Sequence, residues 1–385
     1  MTAPGPSTAD VSTAAVLPRI AVGSSYGPAG ASTRVRVLEW LRFLGLEAEQ
    51  VLQYMGTPNV RPGTLLRRPL EVVRAERRLR RTGHGPGWER LLISRSLGPF
   101  TRGRVEADLL RRSGWGVFDF DDALFADDRG GVHRVFGEAA GWSTAVRAAD
   151  LVIAGNELLA EGAARLNPEV RVIPSCVEPD AYPRKQDYGV GAVPRVIWAG
   201  SPSTEPYLAH VTPALLEVHR RTGARLTVVS SGDRSLGDLE VMADRVAWAG
   251  RETDALLASA DCGIMPLPDI PFTRGKCAYK LLQYGAAGLP SVATPVGVNA
   301  RVLEHFGAPA ATGTDEWVDA LLTVLQEPES ARRARGDAAR RAVEEHYSYT
   351  AWRGAFLEAL HLPADTGPGV TSDTADVTTG PGGGP

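Results

Sequence analysis

Short apolar runs recur along this chain with amphipathic stretches between them. They begin with RIAVG (19–23), RLLIS (90–94), GVFDF (116–120), DLVIAG (150–155) and VRVIPS (170–175). Runs of this length read as buried strands, and alternation with helices points to parallel sheets covered on both faces. The alternation pauses at VEPDAYPRKQDYGVGAVP (177–194), which is rich in Pro, Gly and charge. It restarts with RVIWAG (195–200), RLTVVSS (225–231), RVAWAG (245–250), CGIMPLP (262–268) and PSVAT (290–294). The pattern predicts an α/β chain of two doubly wound, Rossmann-like domains, residues 19–184 and 185–346. Residues 1–18 and the Gly/Thr/Pro-rich end, 363–385, have too little to bury and are expected to be disordered.

At 385 residues, 43% hydrophobic and 23% charged, the chain is long enough to form both cores. A net charge of −3 gives no global basic field and argues against nucleic acid as a partner. Cys176, Cys262 and Cys277 lack C-x-x-C spacing, so reduced thiols in a cytoplasmic protein are expected, with no metal. No apolar run is long enough to span a membrane. The arginine-rich segment 67–81 leaves peripheral contact with an anionic membrane open, but its weak apolar stripe favours a solvated helix face.

In doubly wound sheets ligands bind beyond the carboxyl ends of strands, so the loops there carry the functional signal. After the first strand, Gly23 and Ser24 open a small-residue loop leading to Arg34 and Arg36; it does not match G-x-G-x-x-G. After GVFDF, Asp119, Asp121 and Asp122 cluster. They could bind hydroxyls or a cation, act as a base if a pKa is raised, ligate a metal, or cap a helix. In the second half, Gly200, Ser201 and Ser203 follow RVIWAG. The segment TRGKCAYKLLQYGAAGLPSVATP (273–295) reads as one helix capped by Thr273, then a stop and a strand. Arg274, Lys276 and Lys280 crowd its start, where the helix dipole disfavours cations, and no acidic residue lies between Asp269 and Glu304. A ligand phosphate would resolve that arrangement, with carboxylates from elsewhere in the fold as the plain alternative.

The order of STRVRVLEWLRFLG, ADLVIAGNELLAEG before VRVIPSCVEPDAY, RVAWAGRETDALLASADCGIMPLP and KLLQYGAAGLPSVATPVGVNA resembles the retaining glycosyltransferases of the GT-B fold, family four, over about Arg19 to Leu362. The resemblance implies a cleft between the domains, and a C-terminal helix, 347–362, returning to the first. It implies a nucleotide-sugar donor, UDP- or GDP-linked, in the second domain and a small-molecule, glycan or glycolipid acceptor in the first. Natural-product or cell-surface glycan biosynthesis would suit such a chain. No cofactor beyond the donor is implied. Donor contacts fall to Gly200, Ser201, Ser203, Arg251, Arg274, Lys276, Lys280 and Gln283, and acceptor contacts to Gly23, Ser24, Arg34, Asp121 and Asp122. Lys276, Arg274 and Asp122 are the candidate catalytic residues. Two departures stand out: the family's paired glutamates fall at Gly275 and Gln283, and its Arg and Lys after the first strand of the second domain are missing from AGSPSTEPYL. A nonhydrolysing nucleotide-sugar epimerase and a catalytically silent nucleotide-binding protein are the rival readings.

Overall fold

The computed structural model describes residues 19–28, 30–55, 62–85, 87–126 and 138–367, without the side chains of Pro62, Thr64 and Arg251. The expectations for residues 1–18 and 368–385 lie outside these limits; residues 363–367, the described start of the tail expected to be disordered, are instead held by Arg353, which donates to the Ala364 and Thr366 carbonyls at 2.8 and 2.7 Å. A six-stranded sheet in the order β2-β1-β3-β4-β5-β6 and a five-stranded sheet in the order β11-β10-β7-β8-β9 form two α/β units. In the first, β1 is Ile20–Gly23, β2 Ala48–Leu52, β3 Arg90–Ser94, β4 Trp115–Phe120, β5 Leu151–Ala154 and β6 Val170–Val172. In the second, β7 is Arg195–Ala199, β8 Arg225–Val229, β9 Ala243–Val246, β10 Cys262–Met265 and β11 Ser291–Ala293. All described pairings are parallel.

The two-residue period of the strands sorts their side chains into separate cores. Ala21, Leu91, Ile93, Phe118, Phe120 and Val152 enter one cluster, while Ile20, Val22, Leu92, Val117, Leu151 and Ile153 enter the cluster on the opposite face. The second sheet divides alike, with Ile197 and Met265 on one face and Val196, Trp198 and Ile264 on the other. The Tyr349–Ala359 helix packs on the first sheet: the Phe356 ring stacks on Trp40 at 4.1 Å, and Trp115 Nε1 donates to the Ala359 carbonyl at 2.9 Å.

The segment from 273 departs from the sequence reading. It forms a short helix, Pro271–Arg274, a break, and a second helix, Tyr279–Ala286. Ala278 sits in the break with φ 54°, a left-handed conformation that costs an alanine roughly 1 kcal/mol. Thr273 does not cap the long helix; its hydroxyl accepts from the Ile270 amide at 3.2 Å. The break is held from the first domain, because Asn156 Nδ2 donates to the Gly275 carbonyl at 3.1 Å and Cys277 Sγ donates to the Asp121 carbonyl at 3.3 Å.

Candidate active site in the interdomain cleft

Sheet order reverses beside β1 and β3 in the first unit and beside β7 and β10 in the second. Such switch points open crevices at the strands' carboxyl ends. On the first side, Arg36 and Asp119 are both buried and bonded at 2.5 Å, with Ser94 adding a bond to Asp119 at 3.2 Å. This pair is a structural tie between the first helix and β4. It leaves the partly buried Asp121 and the buried Asp122 as the rest of the acidic cluster, just beyond β4. Both meet Arg95, Asp122 at 2.6 Å and Asp121 at 3.4 Å. Arg95 has φ 66°, which costs a non-glycine residue about 1–3 kcal/mol and is found where surrounding structure enforces it.

Across the cleft, Lys276 Nζ donates to Asp122 at 2.7 Å. Burial alone would raise the Asp122 pKa, but the Lys276 and Arg95 charges overcome it and hold the carboxyl at about 2. Asp122 is therefore an ionised electrostatic group at neutral pH, which removes the raised-pKa base reading for it. Lys280 differs: its ammonium lies 5.2 Å from the Trp198 ring centroid, and among the described residues it meets no carboxylate. Burial, then the neighbouring Lys276 charge, pull its pKa down to about 7. Gly200 makes room for it, since a Cβ at that position would lie 2.6 Å from Lys280 Cε. A half-buried cation thus stands at the end of β7, the region where the expected Arg and Lys are missing.

Other expected residues scatter. Arg274 pairs with Asp269 at 2.6 Å on the surface, so the local carboxylate set aside in the sequence reading does serve it. Ser201 and Ser203 face each other at 2.9 Å beside Gly200. Gln283 Nε2 donates to the Tyr182 hydroxyl at 3.3 Å. Gly23 ends β1, where a Cβ would lie 2.5 Å from Leu97 Cδ2, and Ser24 is buried, accepting from Thr33 at 2.7 Å; both are committed to packing the loop. Arg34 lies in a π-wound turn, Arg34–Leu38, pairs with Glu39 at 2.6 Å and stands 5.9 Å from the Trp248 ring of the second unit. The Arg251 side chain lies outside the described residues. Sequence reasoning missed Arg95, Asn156 and Trp198; Arg95 follows a strand and could have been found by the rule applied to Asp121.

Gly275, at the first glutamate position, is pressed against the first unit: a Cβ there would lie 2.7 Å from Ala123 Cβ and 3.0 Å from the Ala123 amide. No side chain fits while the cleft holds this closure. The cleft gathers three basic side chains, Arg95, Lys276 and Lys280, and two carboxylates, Asp121 and Asp122, which pair with Arg95 and Lys276 but not with Lys280. Its net positive charge, beside the free amides that begin the Tyr279–Ala286 helix, suits an anion. Among the described residues no His/Cys/Asp/Glu group is placed to hold a metal ion, and no helix is long and apolar enough to cross a membrane.

Residues 193–327 match the family model described as glycosyl transferases group 1. No curated protein matches the sequence. Among solved structures, the chain resembles Anabaena Alr3699/HepE in complex with UDP-glucose at 13% identity and TM-score 0.64, over 89% of this chain and 99% of that one. It resembles WaaG, a glycosyltransferase involved in lipopolysaccharide biosynthesis, at 14% identity and TM-score 0.60, over 88% and 99%. Against TarM the values are 10% and 0.52, and the chain spans about half, 54%, of that protein. The second α/β unit therefore carries the group 1 glycosyl transferase match, and the chain has the GT-B fold of the glycosyltransferases it resembles.

Proposed function

We propose that the protein is a retaining glycosyltransferase that moves a sugar from a nucleoside-diphosphate sugar, UDP- or GDP-linked, to a small-molecule, glycan or glycolipid acceptor. The observation that carries this reading is Lys280, a half-buried ammonium at the end of β7 that pairs with no carboxylate among the described residues and has a pKa drawn down to about 7. A donor diphosphate would supply its missing counter-charge. Lys276 would turn from Asp122 to the same phosphates, countering negative charge that grows as the sugar–phosphate bond breaks. The acceptor hydroxyl then attacks the anomeric carbon from the face the phosphate leaves, and its proton passes to the departing phosphate oxygen. Asp122, ionised and held by Arg95, orients the acceptor without serving as a nucleophile. The likeness to HepE, crystallised with UDP-glucose, supports UDP as the first donor nucleotide to test.

The experiment is a thermal-stability screen with UDP, GDP and TDP and their sugars. A ligand at a hundred times its Kd adds roughly 2.7 kcal/mol to stability. Stabilisation by one nucleotide, lost in Lys280→Met, supports the reading; no stabilisation by any of them overturns it. One observation favours a second reading, nucleotide binding without transfer: the tight packing at Gly275 leaves no side chain for the donor sugar at that position. Tight nucleotide binding with no release of nucleoside diphosphate from any bound sugar donor would select it.

A further inference from the structure

The arginine-rich segment belongs to two helices on the first unit, Pro62–Arg67 and Pro69–Gly83. Its inward stripe is short: Ala75 and Leu79 are buried and Val72 packs beside them. That stripe accounts for the weak amphipathic signal in the sequence, but it is only one of two apolar sets. Leu66, Leu70 and Val73 point away from the core, exposed to 82%, 71% and 45%. A ridge of exposed aliphatic side chains marks a contact surface, whereas isolated ones do not.

The charge around the ridge is one-sided. Residues 67–81 hold seven arginines and two glutamates. Glu71 meets Arg68 at 3.4 Å, and Arg78 is turned inward to the Gln53 and Tyr54 carbonyls. Among the described residues, Arg67, Arg74, Arg77, Arg80 and Arg81 meet no carboxylate. A chain of net charge −3 therefore concentrates positive charge where it exposes leucine.

We propose that this face docks the protein onto an anionic lipid bilayer, with Leu66, Leu70 and Val73 entering the interface and the arginines meeting lipid phosphates. Aliphatic side chains that gain from leaving water, ringed by unpaired arginines, match the interfacial mode of membrane binding. An acidic protein or nucleic acid would use the arginines but leave the leucines without a role. The docking is independent of the transfer chemistry, because none of these residues lies in the cleft.

The test is flotation of the full chain with vesicles of phosphatidylcholine alone and of phosphatidylcholine containing phosphatidylglycerol. We expect binding only to the anionic vesicles, weakened by salt. Each arginine near such a surface contributes roughly fivefold to partitioning, so Arg77→Gln/Arg81→Gln should bind roughly 25-fold more weakly. Leu66→Gln/Leu70→Gln, at exposed positions that leave folding intact, should lose at least about tenfold. Circular dichroism melts of both variants should overlay wild type. Failure to bind anionic vesicles, equal binding to neutral ones, or full binding by the leucine variant would each overturn the proposal, the last leaving a purely electrostatic site for an acidic macromolecule.

Discussion

If Lys280 meets the donor diphosphate, nucleotide affinity must follow its protonation. In the free protein its pKa lies at about 7, drawn down from 10.5 by burial and by Lys276. A diphosphate against the ammonium would return the value toward its ordinary range, so the liganded protein holds the proton throughout the neutral and mildly alkaline range. The free protein loses that proton as pH rises past 7, and binding must restore it. Between pH 7 and 9 the Kd should therefore rise by about 50-fold, approaching tenfold per unit at the upper end. Calorimetry with UDP or GDP in two buffers of different ionisation enthalpy reads the same event as uptake of about one proton at pH 8. Lys280→Arg should keep binding and flatten the pH dependence, because arginine stays charged. Lys280→Met should bind weakly at every pH.

Stability without ligand has the matching sign. The unfolded chain holds the Lys280 proton more tightly than the folded one, so stability should rise from about pH 7 toward 10.5, and Lys280→Met should lack that rise. The full shift corresponds to roughly 5 kcal/mol, and solvent access to part of the side chain reduces the expected contribution to about 2 kcal/mol. A Kd that changes less than about threefold over pH 7–9 in wild type, with no proton uptake, would refute the assignment of Lys280 to the phosphates.

Other outcomes follow from the same geometry. Asp119→Ala leaves the Arg36 charge buried without its partner and should cost about 3–5 kcal/mol in urea unfolding, whereas nucleotide affinity of the folded fraction should stay within a few-fold. Asp122→Asn frees Lys276 from its carboxylate, so nucleoside diphosphate should bind several-fold more tightly while transfer slows; unchanged binding and turnover would remove Asp122 from the site. EDTA should leave turnover unchanged, because side chains and helix amides counter the phosphate charge; loss restored by Mg²⁺ or Mn²⁺ would assign Asp121 and Asp122 to a metal.

Much of the architecture could be read from sequence because a parallel strand buried on both faces is a continuous apolar run, as RLLIS and GVFDF are. AEQVL escaped notice because β2 is an edge strand with Glu49, Gln50 and Val51 facing solvent, and it lacks that signature. RVAWAG overstated its strand, which ends at Val246 before Trp248 turns outward. Apolar period alone also joined two helices across Gly275–Ala278. No local signal marks a left-handed alanine, and contacts from Asn156 and Asp121, over a hundred positions away, hold the break. Long-range pairing likewise decided the acidic cluster: Asp119 is claimed by Arg36 and Asp122 by Arg95 and Lys276, assignments that need the folded chain. For the cations, Arg274 had a carboxylate five residues away, whereas Lys280 was distinguished only by what the fold withholds from it.

The most direct test of the account is release of nucleoside diphosphate from UDP- and GDP-sugars, followed with the product's anomeric proton coupling by NMR. We expect one donor to be turned over with its anomeric configuration kept. Lys280→Met should lower kcat/KM at least about tenfold, a loss of about 1.4 kcal/mol of transition-state stabilisation. Turnover that Lys280→Met leaves unchanged, or a product of inverted configuration, would contradict it.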